Sequence, residues 1–185
     1  MDGIDAALID SNSHKLITGI TTPYTQSLKK QLLTFDPNQK HTPQALLELN
    51  HLLGHAFSNA ALALLKKTKY NPKDITAIGS HGQTLYHSPD TKIRTTLQLG
   101  CPHTIAVNTG ITVVADFRTR DLVLGGQGAP LAPYYHQELL KKQNLPLAIV
   151  NIGGVSNLSI LNKSAAPVGY DTGPGNVLMD TWIRQ

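Results

Sequence analysis

A carboxylate set among glycines offers the clearest chemistry in the chain. Gly169-Tyr170-Asp171-Thr172-Gly173-Pro174-Gly175-Asn176 reads as a turn that opens a helix and carries Asp171. A general base works when an ionised carboxylate is fixed within hydrogen-bond reach of the proton it removes, and Pro174 between Gly173 and Gly175 supplies stiffness. The same Asp also fits a helix cap. Three further glycine-bearing turns lie upstream, each beside an apolar run: Ser80-His81-Gly82-Gln83-Thr84, Gly125-Gly126-Gln127-Gly128-Ala129-Pro130 and Asn151-Ile152-Gly153-Gly154-Val155-Ser156-Asn157. Glycine lets a backbone approach a ligand or turn with positive φ. Asn, Gln, His and Asp are the side chains that orient a polyhydroxy or phosphate ligand in a pocket.

His81 and Gln83 are therefore candidate contacts for such a ligand, as is Gln127, although a lone His more often serves structure. Arg118, after Asp116 and Phe117, can form paired hydrogen bonds to a carboxylate or phosphate, while Arg120 also fits a solvated charge. On the residues alone Gly153-Gly154 reads first as a plain hairpin turn, although exposed amides in such a turn can meet phosphate oxygens. His51 and His55 have the spacing of two zinc ligands on one helix face. The intervening Leu52-Leu53-Gly54 lacks the glutamate of a zinc-hydrolase helix, and with no third ligand evident the pair is not expected to hold a metal. Nothing matches the Gly-x-x-x-x-Gly-Lys-Ser/Thr phosphate loop, which excludes a P-loop NTPase.

An α/β framework is expected to position these residues. Ala6–Asp10 and Leu16–Ile20 read as strands joined by a hairpin at Ser11-Asn12-Ser13. Thr42-Pro43 opens a long helix in which Leu46, Leu49, Leu53, Phe57, Ala60 and Leu64 recur at gaps of three and four. Ile75–Gly79 reads as a strand that delivers Ser80 and His81 to its carboxyl end, where open α/β sheets bind ligands. Further strands are expected at Thr96–Leu99, Ile111–Ala115 and Ala148–Ile152, and a helix from Pro130 to Lys142. Leu145-Pro146 marks a domain boundary, because strand, small-residue turn and strand recur from Ala148 to Ser159. The final helix carries Val177, Leu178, Trp182 and Ile183 without partners for an apolar face, and Met1-Asp2-Gly3 reads like the tail of a turn, so the chain reads as a fragment.

Composition narrows the class. With 185 residues, 41% of them hydrophobic, the chain can bury one core and part of a second. It has no apolar run of about 18 residues that would span a membrane. Its start lacks the basic residues and apolar stretch of a signal peptide. Cys101 is the sole cysteine, which agrees with a reducing compartment, and a cytoplasmic location is expected. The net charge of +4 is scattered through Lys29-Lys30, Lys66-Lys67 and Lys141-Lys142, placed near expected helix ends, and aromatics make up only 5%. Nucleic acid is therefore not an expected partner.

Taken in order, Met1-Asp2-Gly3-Ile4-Asp5, Ser80-His81-Gly82-Gln83-Thr84, Asp116-Phe117-Arg118, Gly125 to Leu131, Asn151-Ile152-Gly153-Gly154 and Asp171 to Asn176 resemble the N-terminal half of the anhydro-N-acetylmuramic acid kinases. The resemblance covers almost the whole chain. It implies an actin-like and hexokinase-like (ribonuclease H-like) fold, a mixed sheet with flanking helices in each domain. Residues 1–145 would form the first domain without its opening strand, and residues 146–185 the start of the second. It further implies ATP and Mg²⁺ as cofactors, an amino-sugar substrate and a homodimeric full-length protein. The implied reaction opens the bridge of 1,6-anhydro-N-acetylmuramic acid with water and phosphorylates O6 in peptidoglycan recycling, with Asp171 as general base.

By the same resemblance Asp2, Gly3 and Asp5 end an N-terminal phosphate loop whose first part is absent, with Asp2 placed to act around Mg²⁺. Gly153 and Gly154 would face nucleotide phosphates. His81, Gln83, Arg118, Gln127, Gly175 and Asn176 would face the sugar. The chain by itself is not expected to turn over. Two other readings stand beside this one: a glycosidase, which needs a second acid such as Asp116 or Asp121, and a non-catalytic sugar-binding module, whose ligand binding would ignore ATP.

Overall fold

A computed structural model describes residues 3–35 and 39–183, organised as two compact units, residues 1–128 and 129–185. Asp2, expected to contact Mg²⁺ and nucleotide, lies outside the described residues.

The first unit opens with β1 (Ile4–Asp10) and β2 (Lys15–Thr22), an antiparallel hairpin paired from Ile4↔Thr22 to Asp10↔Lys15 with a one-residue register slip between Leu8 and Ile9. The turn falls at Ser11-Asn12-Ser13 because the Asp10 carboxylate accepts the N–H groups of Asn12 and Ser13, both at 2.9 Å. Helix α1 (Gln26–Thr34) was not expected. It is capped by Thr25, whose Oγ1 accepts the Leu28 N–H, and it buries Leu28 and Leu32. Lys29 and Lys30 accordingly lie inside a helix rather than at its end.

Helix α2 (Pro43–Lys66) begins as its sequence predicts, with Thr42 Oγ1 accepting the Ala45 N–H at 3.2 Å and Pro43 in the first turn. Its three-four pattern buries Leu49, Leu53, Ala60 and Leu64. Leu49 and Leu53 join Leu28, Leu32 and Leu99 in one core cluster, with Phe57 packed against it.

Beyond α2 come β3 (Ile78–Ser80), β4 (Gln83–Ser88), β5 (Thr95–Leu99), α3 (Pro102–Thr109), β6 (Val113–Ala115) and α4 (Thr119–Val123). The strand expected over 75–79 is shorter and shifted to 78–80, paired in parallel with β6. Gln83 and Thr84 are not turn residues: they begin β4, antiparallel to β5. Among the described residues the strands of this unit form three separate two-stranded ladders, not the single mixed sheet expected. Residues Gly3–Asn12 and Ile75–Gln83 line the same cavity of about 880 Å³, and among the described residues no ladder joins β1 to β3.

The second unit contains α5 (Ala132–Leu139), β7 (Leu147–Ile152), β8 (Val155–Leu161), β9 (Val168–Pro174) and α6 (Val177–Ile183), the three strands forming an antiparallel meander. Within this unit α5 packs on the meander. His136 Nδ1 lies 2.9 Å from the buried Ser159 hydroxyl of β8, and an added Cβ at Gly169 of β9 would stand 2.4 Å from Pro133. Among the described residues no helix is long and apolar enough to cross a membrane.

Candidate active-site residues

Within the first unit, the 880 Å³ cavity gathers Gly3, Asp5, His81 and Gln83, all expected from the sequence to contact ligand. Asp5 sits on β1, where its carboxylate accepts the Thr21 hydroxyl of β2 at 2.6 Å. Gln83 opens β4 and accepts a hydrogen bond from the Tyr24 hydroxyl at 3.3 Å. Tyr24 lines the same cavity, and burial, reinforced by the Asp5 charge, raises its phenol above the usual range. No sequence pattern pointed to Tyr24, which precedes α1 and meets Gln83 only through the fold.

His81 follows β3 and fixes Arg118. Its Nδ1 lies 2.8 Å from the Gly82 carbonyl, which can only accept, so Nδ1 carries the proton. Nε2 is left to accept the Arg118 Nε–H at 2.9 Å. Arg118 directly precedes α4, and its approach is set by Asp116. That residue takes a left-handed φ of 55°, uncommon outside glycine but tolerated by Asp, while its Oδ1 accepts the Thr119 N–H at 3.2 Å. Asp116, His81 and Thr119 border a second cavity of about 200 Å³. A guanidinium held through Nε keeps its terminal nitrogens for an anion.

The His81–Arg118 contact requires a neutral imidazole. Burial, and the Arg118 charge after it, hold His81 below its ordinary value of 6.5, against an opposing contribution from the Gly82 carbonyl. The unfolded chain therefore binds a proton that the folded one refuses, and stability falls as pH drops through 6.5 towards the lowered folded value. Urea unfolding at pH 7.5 and 5.0 is expected to show a loss of stability on acidification in the native chain. The loss should be smaller in His81→Gln, whose amide oxygen can still accept from Arg118.

Gln127 is exposed on a loop that neighbouring charges hold. The Arg94 guanidinium donates to the carbonyls of Gly125 and Gly126, and the Asp121 carboxylate accepts the Gly128 N–H at 2.7 Å. Asp121 is thus committed to the loop. Sequence reading missed Arg94, which is 31 residues from Gly125 and has no local signature.

The second unit assembles Gly153, Gly154, Asp171, Gly175 and Asn176 at one end of its meander. Asp171 is not on a turn that opens a helix. It lies on β9 opposite Asn157 of β8 and is exposed, while α6 begins only at Val177. The capping alternative therefore fails. Next to Asp171 the register slips, since Asn157 pairs with Asp171 and Ser156 with Gly173. Thr172 is the extra residue, its hydroxyl donating to the Ser156 carbonyl at 3.1 Å. A bulge of this kind bends a strand and re-aims its side chains.

The turn of the segment comes two strand positions later and is tied to the β7–β8 hairpin. The N–H groups of Gly175 and Asn176 donate to the carbonyls of Gly154 and Gly153 at 2.9 and 2.8 Å. An added Cβ at Gly175 would lie 2.1 Å from the Gly153 oxygen, so only glycine fits. Gly153 and Gly154 differ. Neither has a left-handed φ, and a Cβ there would meet nothing closer than 3.7 and 3.9 Å. Packing inside the unit leaves both positions open to a side chain, and their bare backbone fits the approach of a phosphate or a similar anion.

These residues fall into two groups by unit: Gly3, Asp5, His81, Gln83, Arg118 and Gln127 in the first, and Gly153, Gly154, Asp171, Gly175 and Asn176 in the second. Among the described residues no group of three or more His, Cys, Asp and Glu could hold a metal ion. Asp5, already bonded to Thr21, is the described carboxylate among the residues assigned to nucleotide and metal.

A family model described as anhydro-N-acetylmuramic acid kinase matches residues 1–185. Curated relatives of that name are similar along nearly the whole chain. One from Legionella pneumophila (strain Lens) is 52% identical over 183 residues, 99% of this chain and 50% of its own length. One from Photobacterium profundum is 49% identical over 187 residues, covering 100% of this chain and 50% of the relative. One from Vibrio cholerae serotype O1 is 44% identical over 187 residues with the same coverage. The chain spans about half the length of the curated relatives it matches.

Proposed function

The chain belongs to the anhydro-N-acetylmuramic acid kinase family, and from that premise we propose that it contributes the base and phosphate-facing turns of an ATP-dependent amino-sugar kinase. The substrate we assign is 1,6-anhydro-N-acetylmuramic acid and the product N-acetylmuramic acid 6-phosphate, a step of peptidoglycan recycling in the cytoplasm. The fold we assign is the actin-like and hexokinase-like one, with residues 1–145 and 146–185 belonging to its two domains. The full-length protein is proposed to be a homodimer. Since the relatives run to about twice this length, residues 1–185 alone are proposed not to turn over.

The observation that carries this reading is Asp171, an exposed carboxylate beside a bulge and next to the Gly153–Asn176 crossing. In the proposed step Asp171 takes a proton from water as the water oxygen bonds to the anomeric carbon. The bond from that carbon to O6 breaks, and O6 would take the γ-phosphoryl group as the bond joining that group to ADP breaks and ADP leaves. Bound ATP supplies the transferred phosphoryl group and Mg²⁺ neutralises its charge. Gly153 and Gly154 would hold phosphate oxygens through backbone N–H groups, with Gly3, Asp5 and Asp2 on the nucleotide and metal side. Arg118, oriented by His81, would take the lactyl carboxylate or a phosphate. His81, Gln83, Gln127, Gly175 and Asn176 would complete the sugar contacts.

Assay of a protein of the relatives' full length carrying these 185 residues tests the proposal. ATP-dependent formation of a product heavier by one water and one phosphoryl group is expected. ATP turnover with a different sugar and none with this one would remove the substrate assignment. Sugar binding indifferent to ATP, with no product, would favour the sugar-binding module.

The two kinds of glycine give a separate expectation. Gly153→Ala meets no neighbour within 3.7 Å, so its stability should stay within about 1 kcal/mol of the native chain. Its KM for ATP should rise about tenfold or more, the cost of losing a charge-assisted contact. An unchanged KM in a folded Gly153→Ala protein would remove the phosphate role from this turn.

A further inference from the structure

On α2, beside α3 and separate from the set of residues assigned above, His51 and His55 are exposed and bring their Nε2 atoms to 3.0 Å from each other. The rings stand almost perpendicular, with an interplanar angle of 89°. Each ring is held from behind by α3: His51 Nδ1 lies 2.9 Å from Thr104 Oγ1, and His55 Nδ1 lies 2.9 Å from the Asn108 amide. Asn108 is itself tied to the buried Ser58 hydroxyl at 3.0 Å. Gly54 between the two histidines lets the helices meet, since a Cβ there would stand 2.9 Å from the Cys101 carbonyl oxygen and from Thr104 Cβ. The two imidazoles are thus mounted on a rigid helix pair.

Two nitrogens bound cis to one metal at right angles, with bonds of about 2.0–2.1 Å, are separated by about 2.9 Å. A tetrahedral angle would spread them to roughly 3.3 Å. The 3.0 Å that the hydrogen bond between the rings now sets lies close to the right-angled case, the preference of square-planar and tetragonal Cu²⁺ or Ni²⁺, so an ion could replace the shared hydrogen with little movement of either ring. A metal-bound imidazole characteristically donates its opposite N–H to a second partner; His51 Nδ1 has Thr104 Oγ1 for this, while His55 Nδ1 now accepts from the Asn108 amide nitrogen and would need that amide turned over.

We propose that His51 and His55 form a two-nitrogen site for a tetragonal divalent transition metal, Cu²⁺ or Ni²⁺, with water in the remaining positions. This departs from the sequence expectation because two ligands at the right chord are enough for a chelate, although they are too few for a closed zinc site. Binding to neutral rings releases no proton. The hydrogen that joins the two Nε2 atoms moves to His55 Nδ1, and the Asn108 amide rotates to present its oxygen. The metal takes both Nε2 lone pairs.

The test uses the 185-residue chain with Cu²⁺ at one equivalent, followed by electron paramagnetic resonance, and Ni²⁺ titration by calorimetry. The native chain should bind one ion in a tetragonal site with two equatorial imidazole nitrogens. His51→Ala and His55→Ala, both exposed substitutions, should each keep the helical circular dichroism, weaken Ni²⁺ binding at least tenfold and leave a different copper spectrum. Affinity and spectra unchanged in the double variant would overturn the site and show that the contact only braces α2 on α3. If His55→Ala were to lose helix content, His55→Gln, which keeps an acceptor for Asn108, supplies the same reading.

Discussion

Asp171→Asn is expected to lower the rate of phosphorylated-sugar formation by about 10²–10⁴-fold, the range supplied by a positioned general base. The change keeps the size of the side chain and removes its capacity to hold a proton. Because Asp171 is exposed on β9 and is paired through the backbone register with Asn157, little of the folded structure depends on its charge. The protein should therefore melt within a few degrees of the native one, and sugar and ATP affinity should change far less than kcat. A proton-transfer role predicts that split, whereas a binding role predicts a rise in KM with kcat kept. Measuring both in the full-length protein separates them, and a native kcat in Asp171→Asn would remove the base assignment.

Gly175→Ala should be the most damaging of the conservative changes at this end of the second unit. The new Cβ would sit 2.1 Å from the Gly153 carbonyl oxygen and 2.8 Å from Ser156 Oγ, and the nearer of the two is backbone that cannot swing aside. Relief requires the β9–α6 junction to move off the β7–β8 turn, lengthening the bonds from Gly175 and Asn176 to Gly154 and Gly153. Forcing a methyl group into a packed site costs about 1–3 kcal/mol. We expect a lowered melting temperature and, because the same hydrogen bonds hold the Asp171 strand to the Gly153–Gly154 turn to which we assign phosphate, a loss of activity in the protein that still folds. Gly153→Ala is the matched control: a glycine of the same crossing with room for a methyl group. Equal stability of the two variants would contradict the packing described.

Both variants probe a feature the sequence announced only in outline. The glycines at 153, 154, 173 and 175 were visible, as was the carboxylate among them. Their division of labour was not visible. Gly175 is required by a contact with a residue 22 positions away, Gly173 sits in a bulge with φ of 143°, and Gly153 and Gly154 are required by neither packing nor conformation. The segment read as a turn because glycine and proline punctuate loops. In the fold it is a strand up to Pro174, since β8 offers it a ladder. Pairing partners lie outside any local window, and strand formation at a polar, glycine-rich segment depends on them.

By itself the sequence determined the elements whose signals are local. The β1–β2 hairpin follows from Asp10 and the small residues after it, and α2 from its cap, its proline and its three-four apolar pattern. The sequence also determined the ordered motifs through which the family is recognised. Only the tertiary structure decided which residues meet: Tyr24 with Gln83, Arg94 with the glycine loop, His81 as the acceptor that orients Arg118, and His51 with His55 braced by α3. Local structure is set by steric and hydrogen-bonding preferences within a few residues, which a sequence displays directly. A site is built from contacts between segments tens of residues apart, and their distances and hydrogen-bond directions exist only once the core has closed around them.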